Sequence, residues 1–244
     1  MVDLRGRVAL VTGAGRGIGR AIALQLAAAG AAVAVNFHVR EDAAQRVVGE
    51  IRARGGASIA VRADVSAAAE VEAMVAMVER ELGPIDVLIN NAGVAVTRGL
   101  DEIDEAEFDR TIAVNLKSAF LCTQAVLRSM RARRWGRIVN LSSVAARGGG
   151  AIGVHYNASK AAIEGLTRGY AARLATEGVT VNAIAPGPVD TEMAAAGLPP
   201  DIASRVPLGR IGRPEEIAEA ALLVLGNAFM TGQVVHVNGG LLFA

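Results

Sequence analysis

A tyrosine and a lysine four residues apart are the residues in this chain whose types and spacing most directly suggest chemistry. They are Tyr156 and Lys160 in the segment HYNASKAA, and the chain has two tyrosines and two lysines against many arginines. Positions i and i+4 share one face of a helix, so a helix here brings the phenol and the ammonium to one site. A nearby ammonium lowers a phenol pKa from its usual value of about 10. The pair is a candidate for proton transfer; the alternative is an ordinary solvated helix face.

A glycine-rich turn near the start of the chain is a candidate for phosphate binding. Gly13, Gly17 and Gly19 follow the apolar run VALVT and open a helical pattern. They permit close backbone approach, and the start of a helix offers free N–H groups to a pyrophosphate. The spacing G-x-x-x-G-x-G differs from the common G-x-G-x-x-G fingerprint. Its place on the first strand-to-helix turn, after Thr12, favours phosphate binding over a structural turn. A literal G-x-G-x-x-G within 148–153 lies past its strand and is interpreted as a flexible loop.

Alternating apolar runs and helical patterns predict the elements that position these sites. The predicted strands are RVALVT (7–12), AVAVN (32–36), SIAVR (58–62), DVLIN (86–90), RIVNLS (137–142), VTVNAIA (179–185) and VVHV (234–237). The predicted helices cover 17–29, 40–54, 67–82, 104–131, 154–177 and 214–226. This order predicts a single-domain α/β protein over residues 1–244, a Rossmann-type doubly wound parallel seven-stranded sheet with helices on both faces.

The least regular stretch of the chain is a candidate lid. Residues 186–213 carry five of the seven prolines and follow the sixth predicted strand. Because ligands of open α/β sheets bind beyond the carboxyl ends of the strands, we expect a mobile substrate lid at about 190–209. The alternative is a long surface connection.

Composition excludes several other classes of protein. A net charge of +1 argues against nucleic-acid binding, and we expect no membrane association because no apolar run approaches the roughly 20 residues of a membrane span. The single cysteine, Cys122, cannot form an internal disulfide, and the N-terminal apolar run is too short for a signal peptide, so we expect a cytoplasmic protein. His38, His155 and His236 are scattered, so we expect no metal site.

The order and spacing of several motifs resemble those of the short-chain dehydrogenase/reductase family over essentially the full length. The motifs are TGAGRGIG (12–19), Asp64-Val65, NNAG (90–93), Asn115, NLSS (140–143), YNASK (156–160), PGPVDT (186–191) and VNGG (237–240). Within the family the chain is most similar to the 3-oxoacyl-(acyl-carrier-protein) reductases, through VPLGRIGRPEEIA and HVNGG. The resemblance implies an NAD(P)-dependent enzyme that reduces a carbonyl to a secondary alcohol.

The same resemblance implies roles for individual residues. Tyr156 would be the general acid/base, Lys160 its activator and a ribose ligand, and Ser143 the group that orients and polarises the carbonyl. Asn115 would open its helix locally and hold a water that relays protons from Lys160. The implied cofactor-binding residues are Gly13, Gly15, Arg16, Gly17, Ile18, Gly19, His38, Asp64, Val65, Asn91, Ala92, Gly93, Tyr156, Lys160, Pro186, Gly187, Val189 and Thr191.

The end of the second predicted strand bears on the choice of nicotinamide cofactor. Members that prefer NAD generally place an acid there to bind the ribose 2′-OH. Here Phe37 takes that position and His38 follows, while Arg16 and Arg40 supply positive charge. We therefore expect NADP(H) to be preferred, with NAD(H) also possible.

The substrate and the oligomeric state are expectations from resemblance alone. RSMRARRWGR (128–137) includes Arg134, which resembles a docking position for an acidic carrier protein, but Glu177 stands where carrier-protein users tend to have arginine. The substrate is therefore a carrier-bound 3-oxoacyl group or another small ketone, polyol or sugar; a remote alternative is a catalytically idle dinucleotide-binding scaffold. A homotetramer is expected, through the helices at 104–131 and 154–177 and the segment 234–244.

Overall fold

One parallel sheet organises the chain. The structure is a computed structural model that describes residues 2–197, 199 and 201–243. Its strands pair in the order β3-β2-β1-β4-β5-β6-β7, and every pairing is parallel. The strands are β1 (Val8–Val11), β2 (Ala32–Phe37), β3 (Ser58–Arg62), β4 (Val87–Asn90), β5 (Gly136–Leu141), β6 (Val179–Pro186) and β7 (Val234–Val237). This confirms the predicted seven-stranded sheet, with every strand end within one residue of its predicted position.

The helices follow the predicted pattern except in two places. They are α1 (Gly17–Ala28), α2 (Glu41–Ala53), α3 (Ala68–Glu81), α4 (Glu105–Ile112), α5 (Ser118–Ala132), α6 (Val154–Leu174), α7 (Glu192–Gly197), α8 (Ile202–Arg205) and α9 (Pro214–Gly226). The helix predicted over 104–131 is divided by a π-helical turn at Ala113–Lys117. The candidate lid contains α7 and α8; Leu198 and Pro200, which fall within it, lie outside the described residues.

Both faces of the sheet are covered, because successive side chains of a strand point to opposite sides. In β1, Ala9 and Val11 belong to the buried cluster built with α1, α2 and α9. Val8 and Leu10 belong to the cluster built with α3, α5 and α6. These continuous apolar strands explain the predicted doubly wound architecture.

The strand order reverses between β1 and β4, which opens a crevice at their carboxyl ends. The glycine-rich turn follows β1, the segment 90–93 ends β4, Ser143 follows β5, and the segment 186–191 ends β6. The sheet thus brings the main sequence-predicted motifs to one edge.

Two features are absent from the described residues. None of the helices within the described ranges is both long and apolar enough to cross a membrane. In the same part of the chain, no three His, Cys, Asp or Glu side chains cluster as metal ligands would.

Candidate active site

Thr12 joins the glycine-rich turn to the end of β4. Its buried hydroxyl accepts the N–H groups of Asn91 and Ala92, both at 3.0 Å, and donates to the carbonyl oxygen of Ile89 at 3.3 Å. The amide Nδ2 of Asn91 in turn donates to the carbonyl oxygen of Thr12 at 2.9 Å. The two loops that border the crevice are therefore held in one position.

The glycines of the turn leave room that any side chain would fill. Gly13 and Gly17 have φ of +62° and +52°, which favours glycine. A Cβ on Gly19 would clash with Asn91 Nδ2 and lie 2.7 Å from the carbonyl oxygen of Gly13. Since α1 begins at Gly17, the N–H groups of its first turn, which includes Ile18, have no acceptor within the helix. A cradle of this shape fits the pyrophosphate of a dinucleotide.

Asn36 at the end of β2 ties this turn to the sheet. Its Oδ1 accepts the N–H of Gly13 at 3.1 Å, while its Nδ2 lies 3.3 Å and 3.2 Å from the carbonyl oxygens of Val61 and Ala63. The side chain is buried, so these bonds offset the cost of removing it from water. Gly15 lies on the other side of the turn, where a Cβ would be 3.3 Å from the backbone nitrogen of Ala44 in α2.

Tyr156 and Lys160 lie on the buried face of α6, as their spacing predicted. The phenol of Tyr156 lies close enough to the side chain of Ser143, which follows β5, for that side chain to lower its pKa. The Lys160 ammonium donates to the carbonyl oxygen of Leu141 at 2.8 Å and lies 5.7 Å from the centroid of the Tyr156 ring. The three side chains are thus brought together at the carboxyl end of β5.

Burial, rather than mutual attraction, sets the protonation of this pair. Burial raises the pKa of Tyr156, and the nearby side chain of Ser143 opposes that rise. Burial lowers the pKa of Lys160 from 10.5 to about 8. The phenol therefore stays protonated at neutral pH, and the expectation that Lys160 lowers the pKa of Tyr156 remains a prediction.

Asn115 lies in the π-helical turn and reaches across to the loop after β4. Its Oδ1 accepts the N–H of Val94 at 2.7 Å, and its Nδ2 donates to the carbonyl oxygen of Val94 and to Ser159 Oγ, both at 3.0 Å. The expected local opening of the helix at this residue is observed as the π-helical turn. Such turns are frequent at functional sites.

Gly93 brings the loop after β4 close to this cluster. A Cβ there would lie 3.2 Å from Asn115 Oδ1 and 3.7 Å from Lys160 Nζ. A larger residue would therefore press on both side chains. The structure places Gly93, Asn115 and Lys160 together, as the motifs predicted, while their roles in turnover remain predictions.

Several of the predicted cofactor-binding residues lie around the ends of β2 and β3. Phe37 is buried in the core, so an apolar ring fills the position of the acid found in NAD-preferring members. His38 is exposed just beyond it. Asp64 accepts hydrogen bonds from the backbone and hydroxyl of Ser66, which lower its pKa, and Val65 is buried.

Two arginines at this end of the crevice converge on one carboxylate. Arg16 precedes α1 and Arg40 precedes α2, and the Nη1 atom of each lies 2.6 Å from Oε2 of Glu192 at the start of α7. The two arginines hold the pKa of Glu192 below its usual range, Arg16 being the larger influence.

The segment after β6 closes the other side of the crevice. The N–H of Gly187 donates to the carbonyl oxygen of Val237, and a Cβ on Gly187 would lie 2.8 Å from the Cα of Asn238. Val189, three residues past Pro186, pairs with Gly212. Thr191 packs against the glycine-rich turn, where its Cγ2 would be 3.2 Å from a Cβ on Gly17.

Several residues of the site were missed by sequence reasoning. Asn36, Ser159 and Glu192 were not singled out, and Thr12 was noted only for its place in the turn. A buried asparagine at a strand end is a usable signal for Asn36, since asparagine is depleted in strands. For Glu192 no local pattern points to its contacts, which are made with residues 176 and 152 positions away.

The chain is similar in sequence to a known family and to several of its members. Residues 7–199 match the family model described as short chain dehydrogenase. The chain is 43% identical over 238 residues to the 3-oxoacyl-(acyl-carrier-protein) reductase FabG of Staphylococcus aureus, covering 96% of this chain and 97% of that protein. It is 42% identical over 244 residues to the 3-oxoacyl-(acyl-carrier-protein) reductase of Synechocystis sp., covering 99% of each chain.

A solved structure agrees with these sequence matches. The crystal structure of a dehydrogenase/reductase from Sinorhizobium meliloti 1021 superposes with a TM-score of 0.91 at 36% identity, covering 98% of this chain and 96% of that one. Fold, crevice and sequence agree. The chain belongs to the short-chain dehydrogenase/reductase family and is an NAD(P)-dependent oxidoreductase acting on C=O or CH–OH groups.

Proposed function

We propose that this protein is an NADPH-dependent reductase that converts the ketone of a 3-oxoacyl thioester to a secondary alcohol. The observation that carries the proposal is the grouping of the buried Tyr156 phenol and the Ser143 side chain beside the buried Lys160 ammonium, which lies 5.7 Å from the centroid of the Tyr156 ring. Both hydroxyls lie at the carboxyl end of β5, where a carbonyl oxygen can accept from the two of them.

Each residue of this set has a distinct task in reduction. When bound, the nicotinamide supplies the hydride. Tyr156 donates its proton to the carbonyl oxygen as negative charge develops there, and its raised pKa keeps that proton in place at neutral pH. Ser143 orients the carbonyl by a second hydrogen bond. The Lys160 ammonium provides the positive charge that favours loss of the proton, and Asn115 supports a water that returns one.

The preference for NADPH over NADH is supported by charge at the adenosine end. The guanidinium groups of Arg16 and Arg40 converge on a shared anion site, and the buried Phe37 supplies no carboxylate to repel a 2′-phosphate. Arg16→Ala should weaken NADPH binding about 10- to 150-fold, because a charged hydrogen bond is worth roughly 1.5–3 kcal/mol. NADH should lose little.

Fluorescence titration of both cofactors tests this preference, with each cofactor as the control for the other. An equal loss for NADPH and NADH, or a wild type that prefers NADH, would contradict it. Phe37→Asp would not test the preference cleanly, because Phe37 is buried and an aspartate there would disturb the core.

The acyl thioester is supported by the 43% identity to a 3-oxoacyl-(acyl-carrier-protein) reductase. A small ketone, polyol or sugar is the second candidate, and one observation favours it. Glu177 forms a two-pronged ion pair with Arg131, while Arg134 donates to the carbonyl oxygen of Thr176. Two of the arginines that could receive an acidic carrier protein are thereby engaged within the chain.

Steady-state reduction assays separate these candidates. Acetoacetyl groups carried by a short pantetheine-like thiol and by an acyl carrier protein are compared with a panel of free ketones, polyols and sugars. A kcat/KM at least tenfold higher on the thioesters supports the proposal. Turnover of the small ketones or polyols alone would contradict the thioester substrate and support the second candidate. The absence of turnover on every substrate would support the alternative of a catalytically idle scaffold.

We also propose a cytoplasmic homotetramer with a mobile lid at about 190–209. The free thiol of Cys122 is buried, in keeping with a reducing compartment. Exposed apolar side chains lie on the helices and the C-terminal segment predicted to form interfaces; they are Phe108, Phe120, Val154 and Phe243. Light scattering at micromolar concentration should report four chains, and a monomer would contradict the assembly.

A further inference from the structure

Glu192 is an anion already held at the proposed phosphate site. Its Oε2 accepts hydrogen bonds at 2.6 Å from both Arg16 and Arg40, which belong to separate elements of the fold. Two guanidinium groups repel each other unless an anion lies between them. A phosphate monoester, with more charge and three acceptor oxygens, satisfies the same pair of donors better than one carboxylate oxygen.

The neighbourhood of this carboxylate also suits a phosphate. Arg16 and Arg40 are the residues that precede α1 and α2, so the first turns of two helices border the site. The glycine-rich turn packs against the start of α2, where a Cβ on Gly15 would lie 3.3 Å from Ala44 N. Glu192 reaches this place because Thr191, beside it, packs over Gly17.

We propose that Glu192 occupies the position of the cofactor 2′-phosphate in the cofactor-free protein and is displaced when a 2′-phosphorylated dinucleotide binds. The inference rests on the proposed preference for NADP(H). Glu192 thereby becomes a determinant of cofactor specificity, because it competes with the phosphate of NADPH and with no group of NADH.

The displacement also links the cofactor to the candidate lid. Glu192 begins α7, and at the other end of that helix the carbonyl oxygen of Gly197 accepts from Thr97 Oγ1 at 3.2 Å. Binding of the phosphate breaks the contacts of Glu192 with Arg16 and Arg40 and leaves the contact of Gly197 with Thr97 in place. The start of α7 is therefore freed by NADPH and not by NADH.

The expected effect is modest because the ion pairs are exposed. The side chains of Arg16, Arg40 and Glu192 are 46%, 58% and 57% exposed. Exposed pairs shift an equilibrium by factors of about two to five each. Two pairs on one carboxylate should lower the apparent affinity for a 2′-phosphate by about three- to twentyfold.

Calorimetric titration with adenosine fragments tests the competition without turnover. The probes are adenosine 2′,5′-bisphosphate and adenosine 5′-monophosphate, which differ by the 2′-phosphate. The variant is Glu192→Gln, and the matched control is Asp201→Asn, which also removes a 57% exposed lid carboxylate from an arginine pair, that with Arg205. Glu192→Gln should bind the bisphosphate about three- to twentyfold more tightly than wild type and leave the monophosphate unchanged, while Asp201→Asn should change neither.

A double variant separates direct competition from general repulsion between two anions. In an Arg16→Ala background the gain from Glu192→Gln should shrink to less than half, because one of the two contacts holding Glu192 is already absent. A gain of undiminished size would mean long-range repulsion and would overturn the inference. So would a Glu192→Gln variant that matches Asp201→Asn, or one that weakens both probes.

Failure of this inference is distinguishable from failure of the proposed function. If wild type binds the bisphosphate more tightly than the monophosphate and Arg16→Ala removes that difference, the phosphate site stands, and a silent Glu192→Gln overturns only the competition. If Arg16→Ala affects both probes equally, the phosphate site itself is wrong.

Discussion

Lys160 is a buried ammonium whose replacement by methionine should stabilise the fold while abolishing turnover. Burial lowers its pKa from 10.5 to about 8, so the protonated lysine is about 3 kcal/mol less favourable in the folded chain than in the unfolded chain. Methionine has a similar length and no charge. The substitution removes the hydrogen bond to the carbonyl oxygen of Leu141, which lowers the stability of the fold by about 1 kcal/mol.

The net gain of Lys160→Met at pH 7 is therefore about 1–2 kcal/mol. For a chain of this size that corresponds to a rise in Tm of roughly 2–8 °C. The lowered pKa of Lys160 also determines how the stability of the wild type changes with pH. Between about pH 8 and 10.5 the unfolded chain holds a proton that the folded chain has released, so the stability of wild type rises through this window. The advantage of Lys160→Met should disappear by about pH 10.

Scanning calorimetry at pH 7 and pH 10, at one fixed protein concentration, measures both effects. The chain offers a matched control, because its other lysine, Lys117, is exposed, and Lys117→Met should alter neither Tm nor its pH dependence by a comparable amount. A Lys160→Met variant that is less stable than wild type at pH 7, with the same pH dependence, would refute the claim that this ammonium is destabilising.

Three further outcomes are expected. Tyr156→Phe should lower kcat by 10²–10⁴-fold with NADPH affinity unchanged in a fluorescence titration, and a variant retaining a tenth of the rate would exclude the tyrosine as proton donor. Gly19→Ala should weaken cofactor binding at least tenfold in the same titration, because the added Cβ clashes with Asn91 Nδ2. The control Gly49→Ala, which has open space around it, should bind the cofactor normally. Equal affinities of the two variants would argue against the phosphate cradle. Finally, kcat/KM for reduction should fall as pH rises through about 8, since the Lys160 ammonium is lost there, and a profile flat to pH 10 would contradict its role.

The sheet could be predicted from the sequence because its strands are buried on both faces. β1 is a continuous apolar run and β6 is mostly apolar, and such runs alternate with helical patterns of sufficient length for crossovers. Their order then follows from the doubly wound rule, which places the crevice between β1 and β4. The division of the helix predicted over 104–131 was foreshadowed by Asn115, a mediocre helix former at its centre.

The parts that sequence could not supply depend on where side chains point. The spacing of Tyr156 and Lys160 correctly predicted a shared face, but the ammonium donates to Leu141 and is separated from water, so burial decides both pKa values. The contacts of Glu192 depend on how the segment after β6 folds back over the start of α1. No local periodicity encodes such a long-range contact.

The hydrogen bonds of the buried cluster indicate which of its side chains serves the fold and which serves a ligand. Asn115 makes three hydrogen bonds within the chain, which satisfy much of its amide and account for its burial. Lys160 has three donors, and among the described residues Leu141 supplies the one hydrogen-bond acceptor for them. A buried ammonium with two remaining donors is costly unless another partner uses them. Ribose hydroxyls and the water proposed beside Asn115 are acceptors of the right kind. This need for several acceptors explains why one of the two lysines of the chain stands here rather than another arginine. The compact ammonium of lysine can turn its donors toward several acceptors, whereas the planar guanidinium of arginine cannot.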